Sequence, residues 1–309
     1  MIITSAPGKL VLFGEHASRH GKPILVQAVD SRVYAILKPR KDSQIFLTSN
    51  KYDVVKEKWP TKKLDILSAA IEKLVEKAGE KKGFDLEIKS DVTSGTGSSN
   101  AVTVAAIGAL NEYFNIKMDK KQIVDIAFQA SSGVTGYGSG MDVAASTYGG
   151  IIYYIKGKVT RVVTNEDIPI IVGNTGIKAK SGPIIKAVQQ LEQKYPTLLT
   201  VFIDKIGEIV DEAEKAIRTK DWRTLGELMN INHGLLSAMG VSSINLEKLI
   251  FASRGAGALG AKLSGAGIGD NMIAIAPEKG RQVSNAIKRA GGKILPVKIG
   301  EGLRLEKSD

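Results

Sequence analysis

Short apolar runs and longer helical periodicities alternate along this chain and sort it into two parts. Residues 2–5, 9–13, 24–28, 33–39, 44–47 and 86–89 are rich in Val, Ile and Leu and are separated by Gly, Pro, Asn or Asp, as strands are. Apolar positions recur at helical spacing over 64–78, 101–114 and 120–130, with Asp119 placed as an N-cap. Runs at 150–155 and 159–163 flank Lys156-Gly157-Lys158 and predict a hairpin. From 168 the pattern changes. One strand, 168–173, precedes helical stretches at 183–195, 198–219 and 221–239, a helix at 245–256, strands at 271–276 and 293–299, and a helix at 279–290. The polar turn Thr164-Asn165-Glu166-Asp167 marks the boundary, so two α+β lobes are expected, 1–165 and 166–309.

Composition narrows the function classes. A chain of 309 residues is long enough for two sizeable cores. It has no stretch near the roughly 18 apolar residues of a membrane span and no signal-peptide pattern at its start, so a cytoplasmic protein without a membrane partner is expected. With no cysteine there is no disulfide or thiolate nucleophile, and three histidines make a His-rich zinc site improbable. The net charge of +11 favours anionic partners. Most lysines, however, are interleaved with acids on amphipathic helices, and no basic patch is interleaved with aromatics, so nucleic acid is not expected as a partner.

Four glycine-bearing segments carry the candidate chemistry. Residues 94–101 read Ser-Gly-Thr-Gly-Ser-Ser-Asn-Ala and run straight into a helix. The glycines let the backbone turn tightly, and the free N–H groups and positive dipole end of the helix then face into the turn, a geometry that binds phosphate. Ser98 and Ser99 add hydroxyl donors or a ligand for a phosphate-bound magnesium ion. A serine-capped helix after a glycine turn reads the same in isolation. The second segment, Ser5-Ala-Pro-Gly-Lys9-Leu-Val-Leu-Phe-Gly-Glu15-His16, sets charged residues at both ends of a strand-like run, from which Lys9, Glu15 and His16 can converge on a small ligand; singly, each also fits a surface or structural role. The third, Gly136-Tyr-Gly-Ser139-Gly140-Met-Asp142, sets a carboxylate at the edge of a small-residue segment, where Lys9 nearby would keep it ionised; a capping aspartate is the plainer reading. The fourth, Ala261-Lys-Leu-Ser264-Gly-Ala-Gly-Ile-Gly-Asp270, clusters glycines before a strand and suits close passage of a ligand or a plain turn.

Two nucleotide signatures are excluded. Lys9, Lys22, Lys158 and Lys293 each follow Gly but precede Leu, Pro, Val or Ile, so there is no Walker A loop. Gly255-Ala-Gly257-Ala-Leu-Gly260 fits G-x-G-x-x-G but follows a helix and opens none.

Ala6-Pro-Gly-Lys9, Gly95-Thr-Gly-Ser-Ser99 and Ser264-Gly-Ala-Gly267, in this order and spacing, resemble the GHMP kinases, named for galactokinase, homoserine kinase, mevalonate kinase and phosphomevalonate kinase. Gly14-Glu15-His16 with Gly21-Lys-Pro, the stretch 226–236 and the ending Gly302-Leu-Arg-Leu-Glu306 are most similar to the archaeal mevalonate kinase branch. The resemblance implies a two-lobed α+β fold, with an N-terminal nucleotide-binding lobe and a C-terminal ferredoxin-like lobe carrying extra helices. It also implies transfer of the γ-phosphoryl group of Mg-ATP to the 5-hydroxyl of mevalonate. By carry-over, Asp142 is the base or charge partner for that hydroxyl, and Lys9 lowers its pKa and stabilises developing charge. Glu15, His16, Ser139, Gly140 and Ser264 line the mevalonate site. Gly95, Thr96, Gly97, Ser98, Ser99 and Asn100 wrap the phosphates of ATP, and Ser99 ligates Mg2+.

The chain departs from the family pattern in places. Ser131 stands where the family's magnesium-sharing glutamate is expected, leaving water or another acid such as Asp125 to complete the shell. Ile268 and Asp270 replace glycine and a small residue, and Thr96 replaces the usual leucine. Residues 138–145 and the Ser264–Asp270 spacing are also similar to phosphomevalonate kinase, so that enzyme is the alternative; Glu15 disfavours the second phosphate it would have to hold. A basic RNA-binding module is the alternative from another class. The sequence does not fix the oligomeric state, and a homodimer stays open.

Overall fold

The computed structural model describes residues 1–308 other than Ser94, Tyr137, Ser139, Asn165 and Glu166. In chain order its elements are β1 (Ile2–Phe13), β2 (Ile24–Pro39), β3 (Ile45–Ser49), β4 (Val54–Lys58), α1 (Asp65–Ala78), β5 (Phe84–Ser90), α2 (Ser98–Tyr113), α3 (Lys120–Thr135) and α4 (Met141–Tyr148). They continue with β6 (Ile151–Ile155), β7 (Lys158–Val162), β8 (Ile170–Asn174), α5 (Ser181–Lys194), α6 (Pro196–Thr219), α7 (Trp222–Ala238), α8 (Ile244–Gly255), β9 (Gly260–Ser264), β10 (Asn271–Ile275), α9 (Gly280–Arg289), β11 (Lys293–Leu295) and β12 (Arg304–Ser308). The chain divides into two compact units, one of Met1–Lys9, Ala28–Gly150 and Ile299–Asp309, the other of Leu10–Gln27 and Ile151–Lys298. β1 and β2 thus contribute residues to both. The boundary expected at Asn165 falls on residues outside those described.

In the first unit the strand order is β12-β1-β2-β5-β3-β4. The β2–β5 pair is antiparallel and β3–β5 parallel. α2 explains itself by composition: Ala, Val, Ile and Gly dominate it, and every residue from Ala101 to Asn111 is buried. A helix apolar on all sides belongs inside, and here it lies against α1, α3 and α4. Phe84, Tyr113 and Phe114 close the end of this core with edge-on ring contacts. Arg32, buried, donates to Ser5 Oγ and Ser5 O and to the carbonyls of Glu301 and Gly302, which ties the returning C-terminal stretch to β1.

In the second unit, Ile24–Gln27 of β2 pairs with β6, and β6 with β7, the predicted hairpin. A separate antiparallel sheet has the order β11-β8-β10-β9. Numbered along the chain that is 4-1-3-2 with a β-α-β-β-α-β sequence, the ferredoxin-like arrangement, and the helices α5–α8 fill the first crossover as the expected extra helices. The apolar stripes of α5, α6 and α7 and the inner faces of α8 and α9 meet the sheet in one core that includes Leu199, Ile203, Ile206, Leu236, Leu263 and Met272.

Candidate active site

The phosphate-loop candidates sit in the first unit at the start of α2. Gly95 and Gly97 both take positive φ, 82° and 74°, and Gly97 is the N-cap of the helix without any side-chain cap. The amides that open α2 therefore have no partner within the helix and stand at its positive end. Thr96, fully buried, anchors the loop: its hydroxyl donates to Thr93 O at 2.8 Å, and its carbonyl accepts from the Lys9 amide at 2.8 Å. The threonine found where the family has leucine thus serves the loop through a hydrogen bond rather than through packing. Asn100 Oδ1 is buried and accepts no hydrogen bond among the described residues.

β1 delivers Lys9 against this loop. A Cβ on Gly97 would lie 2.8 Å from Lys9 Cε, and one on Gly8 would lie 2.5 Å from Thr96 O, so both positions require glycine for strand and loop to touch. The Lys9 ammonium reaches Asp142 Oδ1 at 3.0 Å, with side chains 11% and 28% exposed. Asp142 lies in the first turn of α4, behind the left-handed N-cap Gly140, at the positive end of that helix. The neighbouring Ser146 hydroxyl donates to Pro7 O and fixes α4 to the Ala6-Pro-Gly-Lys9 segment. Lys9 therefore lies against both the 95–97 loop and Asp142. Ser139 lies outside the described residues.

The remaining candidates gather in the second unit. Glu15 is buried and its Oε1 accepts from Lys262 Nζ. His16 Nε2 lies 3.0 Å from Ala266 O and acts as its donor. The Ser264 hydroxyl donates to Val11 O at 2.7 Å, which leaves it only lone pairs for a ligand. Three side-chain bonds thus stitch the tail of the Lys9 segment to the fourth glycine-rich segment. Burial pushes His16 below the ordinary histidine value of 6.5. Burial also drives Glu15 up and Lys262 down, each against the attraction of the other.

Sequence reasoning passed over two lysines. Lys262 is a charge inside the apolar run Gly-Ala-Lys-Leu-Ser of β9, and that misfit was the available signal. Lys51, which donates to Ser98 Oγ at 2.7 Å and Val92 O at 2.9 Å beside the α2 N-terminus, has no local signal in so lysine-rich a chain. Ser131 and Asp125 both lie on α3. Six residues at about 100° each set them roughly 120° apart around the helix, so Asp125 does not take over the place of Ser131.

A family model described as GHMP kinases N terminal domain matches residues 65–150, and one described as GHMP kinases C terminal matches residues 213–293. A mevalonate kinase of Pyrococcus abyssi (strain GE5 / Orsay) is 36% identical over 99% of this chain and 98% of its own. The crystal structure of L. major mevalonate kinase in complex with R-mevalonate is similar with a TM-score of 0.79 and 26% identity, covering 96% of this chain and 95% of that one. A Lin0012 protein from Listeria innocua shares the fold with a TM-score of 0.90 at 22% identity over 100% of both chains. No helix among the described residues is long and apolar enough to cross a membrane.

Proposed function

Since the chain belongs to the GHMP kinase family, we propose that it is a mevalonate kinase, passing the γ-phosphoryl group of ATP to the 5-hydroxyl of mevalonate. The observation that carries this reading is Lys9, whose backbone and stem hold the phosphate loop while its ammonium holds Asp142 at 3.0 Å. Phosphoryl transfer asks mainly for alignment and charge neutralisation, and these residues supply both. The amides of 95–100 cradle the anionic phosphates. Asp142 accepts the hydroxyl proton as the alcohol oxygen bonds to the γ-phosphorus and ADP departs. Lys9 lowers the pKa of that hydroxyl and offsets the charge that develops on its oxygen. Glu15, His16, Gly140 and Ser264 line the acceptor. Residues 1–165 act as the nucleotide lobe and 166–309 as its C-terminal partner; the two family models fall on either side of this cut.

The donor set suits a magnesium ion carried on the nucleotide. Among the described residues no three His, Cys, Asp or Glu side chains form a cage. Magnesium bound to phosphates keeps several waters and needs only one or two protein oxygens, a part that the Ser99 hydroxyl fits. Bound there, the ion would neutralise phosphate charge.

Coupled ADP release with mevalonate, phosphomevalonate, galactose and homoserine offered side by side tests the assignment. Turnover is expected with mevalonate, falling about 10²–10⁴-fold in Asp142→Asn, the loss typical of a positioned general base, and comparably in Lys9→Met. Release with phosphomevalonate alone reverses the choice of acceptor. Undiminished turnover in both variants discards the site.

A further inference from the structure

The Glu15–Lys262 pair is costly by any structural account. Both side chains are essentially sealed from water, 1% and 0% exposed, and Lys262 sits in a strand whose five residues are all buried, with its ammonium 5.6 Å from the centre of the Phe13 ring. Two well-packed apolar residues fill such a space as stably or better. Lys262 is the side chain that holds the carboxylate: the Glu15 and Gly265 backbones add to its hold, while Glu15 Oε2 accepts no hydrogen bond among the described residues. Lys262 is better held, since it also donates to Leu263 O at 2.7 Å on its own strand. Lys262 is therefore the fixed member and Glu15 the one it fixes.

The segment that Glu15 belongs to is itself strained. Gly14 takes φ 100°, where a Cβ would lie 2.7 Å from Ile24 Cα, and His16 takes φ 61°, a conformation uncommon for any residue but glycine. Strain of this kind persists only where its surroundings impose it, and the side-chain restraints on this turn are Lys262 on Glu15 and Ala266 O on His16.

We infer that Lys262 is a positioning residue of the acceptor site: by clamping one oxygen of Glu15 it holds the strained 14–16 turn in the geometry that receives the alcohol substrate. This rests on the proposed placing of Glu15 and His16 beside the acceptor. Without Lys262 the carboxylate has no remaining side-chain partner in an apolar setting, so it takes up a proton or swings toward water and the turn relaxes.

Steady-state kinetics on the full chain test this. Lys262→Met is expected to raise KM for mevalonate by about 10- to 100-fold, the loss that follows one charge-assisted contact, with KM for ATP within about twofold of wild type. Lys262→Arg, which keeps the charge, recovers part of the loss. If Lys262→Met leaves Glu15 unpaired and the chain does not fold, Glu15→Gln/Lys262→Met removes both charges, folds by circular dichroism and shows the same selective rise. A folded variant with unchanged KM for mevalonate, or with equal losses toward mevalonate and ATP, overturns the inference, as does failure of both Met variants to fold. A wild-type chain inactive with mevalonate fails the functional reading itself, before any variant is compared.

Discussion

Ile268, which stands where the family has glycine, and Asp270, where it has a small residue, show what a side chain costs in a left-handed backbone position. Both take positive φ, 64° and 53°, in the loop after β9, and Ile268 is β-branched, the residue type least suited to that region. The conformation is imposed from outside: the Ile268 amide donates to Val241 O at 2.8 Å and the Asp270 amide to Ile177 O at 2.7 Å. Gly267, just before them, and Gly269, between them, cannot move either, since a Cβ would lie 2.0 Å from Val241 O at the first and 2.6 Å from Ile177 O at the second. Left-handed backbone costs about 1–2 kcal/mol for an L-residue, while glycine loses about 0.5–1 kcal/mol more on folding. The Ile268 side chain is 41% exposed and gives up little burial. Ile268→Gly is therefore expected to stabilise the protein by about 0.5–1 kcal/mol, read as a higher urea midpoint at unchanged slope; a lower midpoint refutes the strain argument. Legibility at this scale follows motif membership. Lys9, Asp142 and 95–100 are readable because glycines on either side declare a close approach, whereas Lys262 and Lys51 become meaningful only once folding brings Glu15 and Ser98 to them.

Among the elements, those with strong periodicity are legible to within a few residues, α6 and α7 most clearly. Those missed fall short of a local signal for identifiable reasons. β4 and β12 are polar edge strands, Val-Val-Lys-Glu-Lys and Arg-Leu-Glu-Lys-Ser, whose charges guard an exposed edge instead of advertising a strand. β9 opens with poor strand formers and exists because β10 pairs with it and α7 comes close enough to force glycine: a Cβ on Gly260 would stand 1.9 Å from Gly226 O. α4 spans only eight residues between glycines, and its Ser146 and Thr147 hydroxyls bond to Pro7 O and Val143 O. The clearest local success is α3. Asp119 accepts from the Gln122 amide at 2.8 Å while the Gln122 side chain accepts from the Asp119 amide at 3.0 Å, a complete capping box. Asp119→Ala should cost about 1 kcal/mol, measured as a lowered thermal midpoint, and Asp119→Asn or Ser should keep most of the stability. An alanine variant as stable as wild type shows that the start of α3 is held by the packing of that helix on α1, α2 and α4 alone.

For the molecule as a whole, acid reaches the fold through its buried histidines before it reaches its carboxylates. Burial holds both His16 and His233 below 6.5. In His233 the reason is geometric as well: Nε2 donates to Glu247 at 3.1 Å while Nδ1 faces the Leu263 amide at 3.5 Å, so a second ring proton would point at another donor. The unfolded chain protonates these rings as pH falls through 6.5 and the native chain does not, so the unfolded state binds more protons and native stability declines with falling pH. The slope approaches about 1.4 kcal/mol per pH unit for each histidine until the native rings titrate. Carboxylates that the fold holds down respond in a lower window: Asp42, kept at about 2 by its hydrogen bonds to Arg40, loses its contribution only as pH drops below 3.8. Urea midpoints measured between pH 7 and pH 5.5 should therefore fall while those carboxylates remain ionised. His233→Gln keeps a donor toward Glu247 but cannot take up a proton, so it should flatten part of the slope. A profile as steep in that variant as in wild type would assign the acid sensitivity to repulsion within a chain of net charge +11 rather than to the ring that faces Leu263.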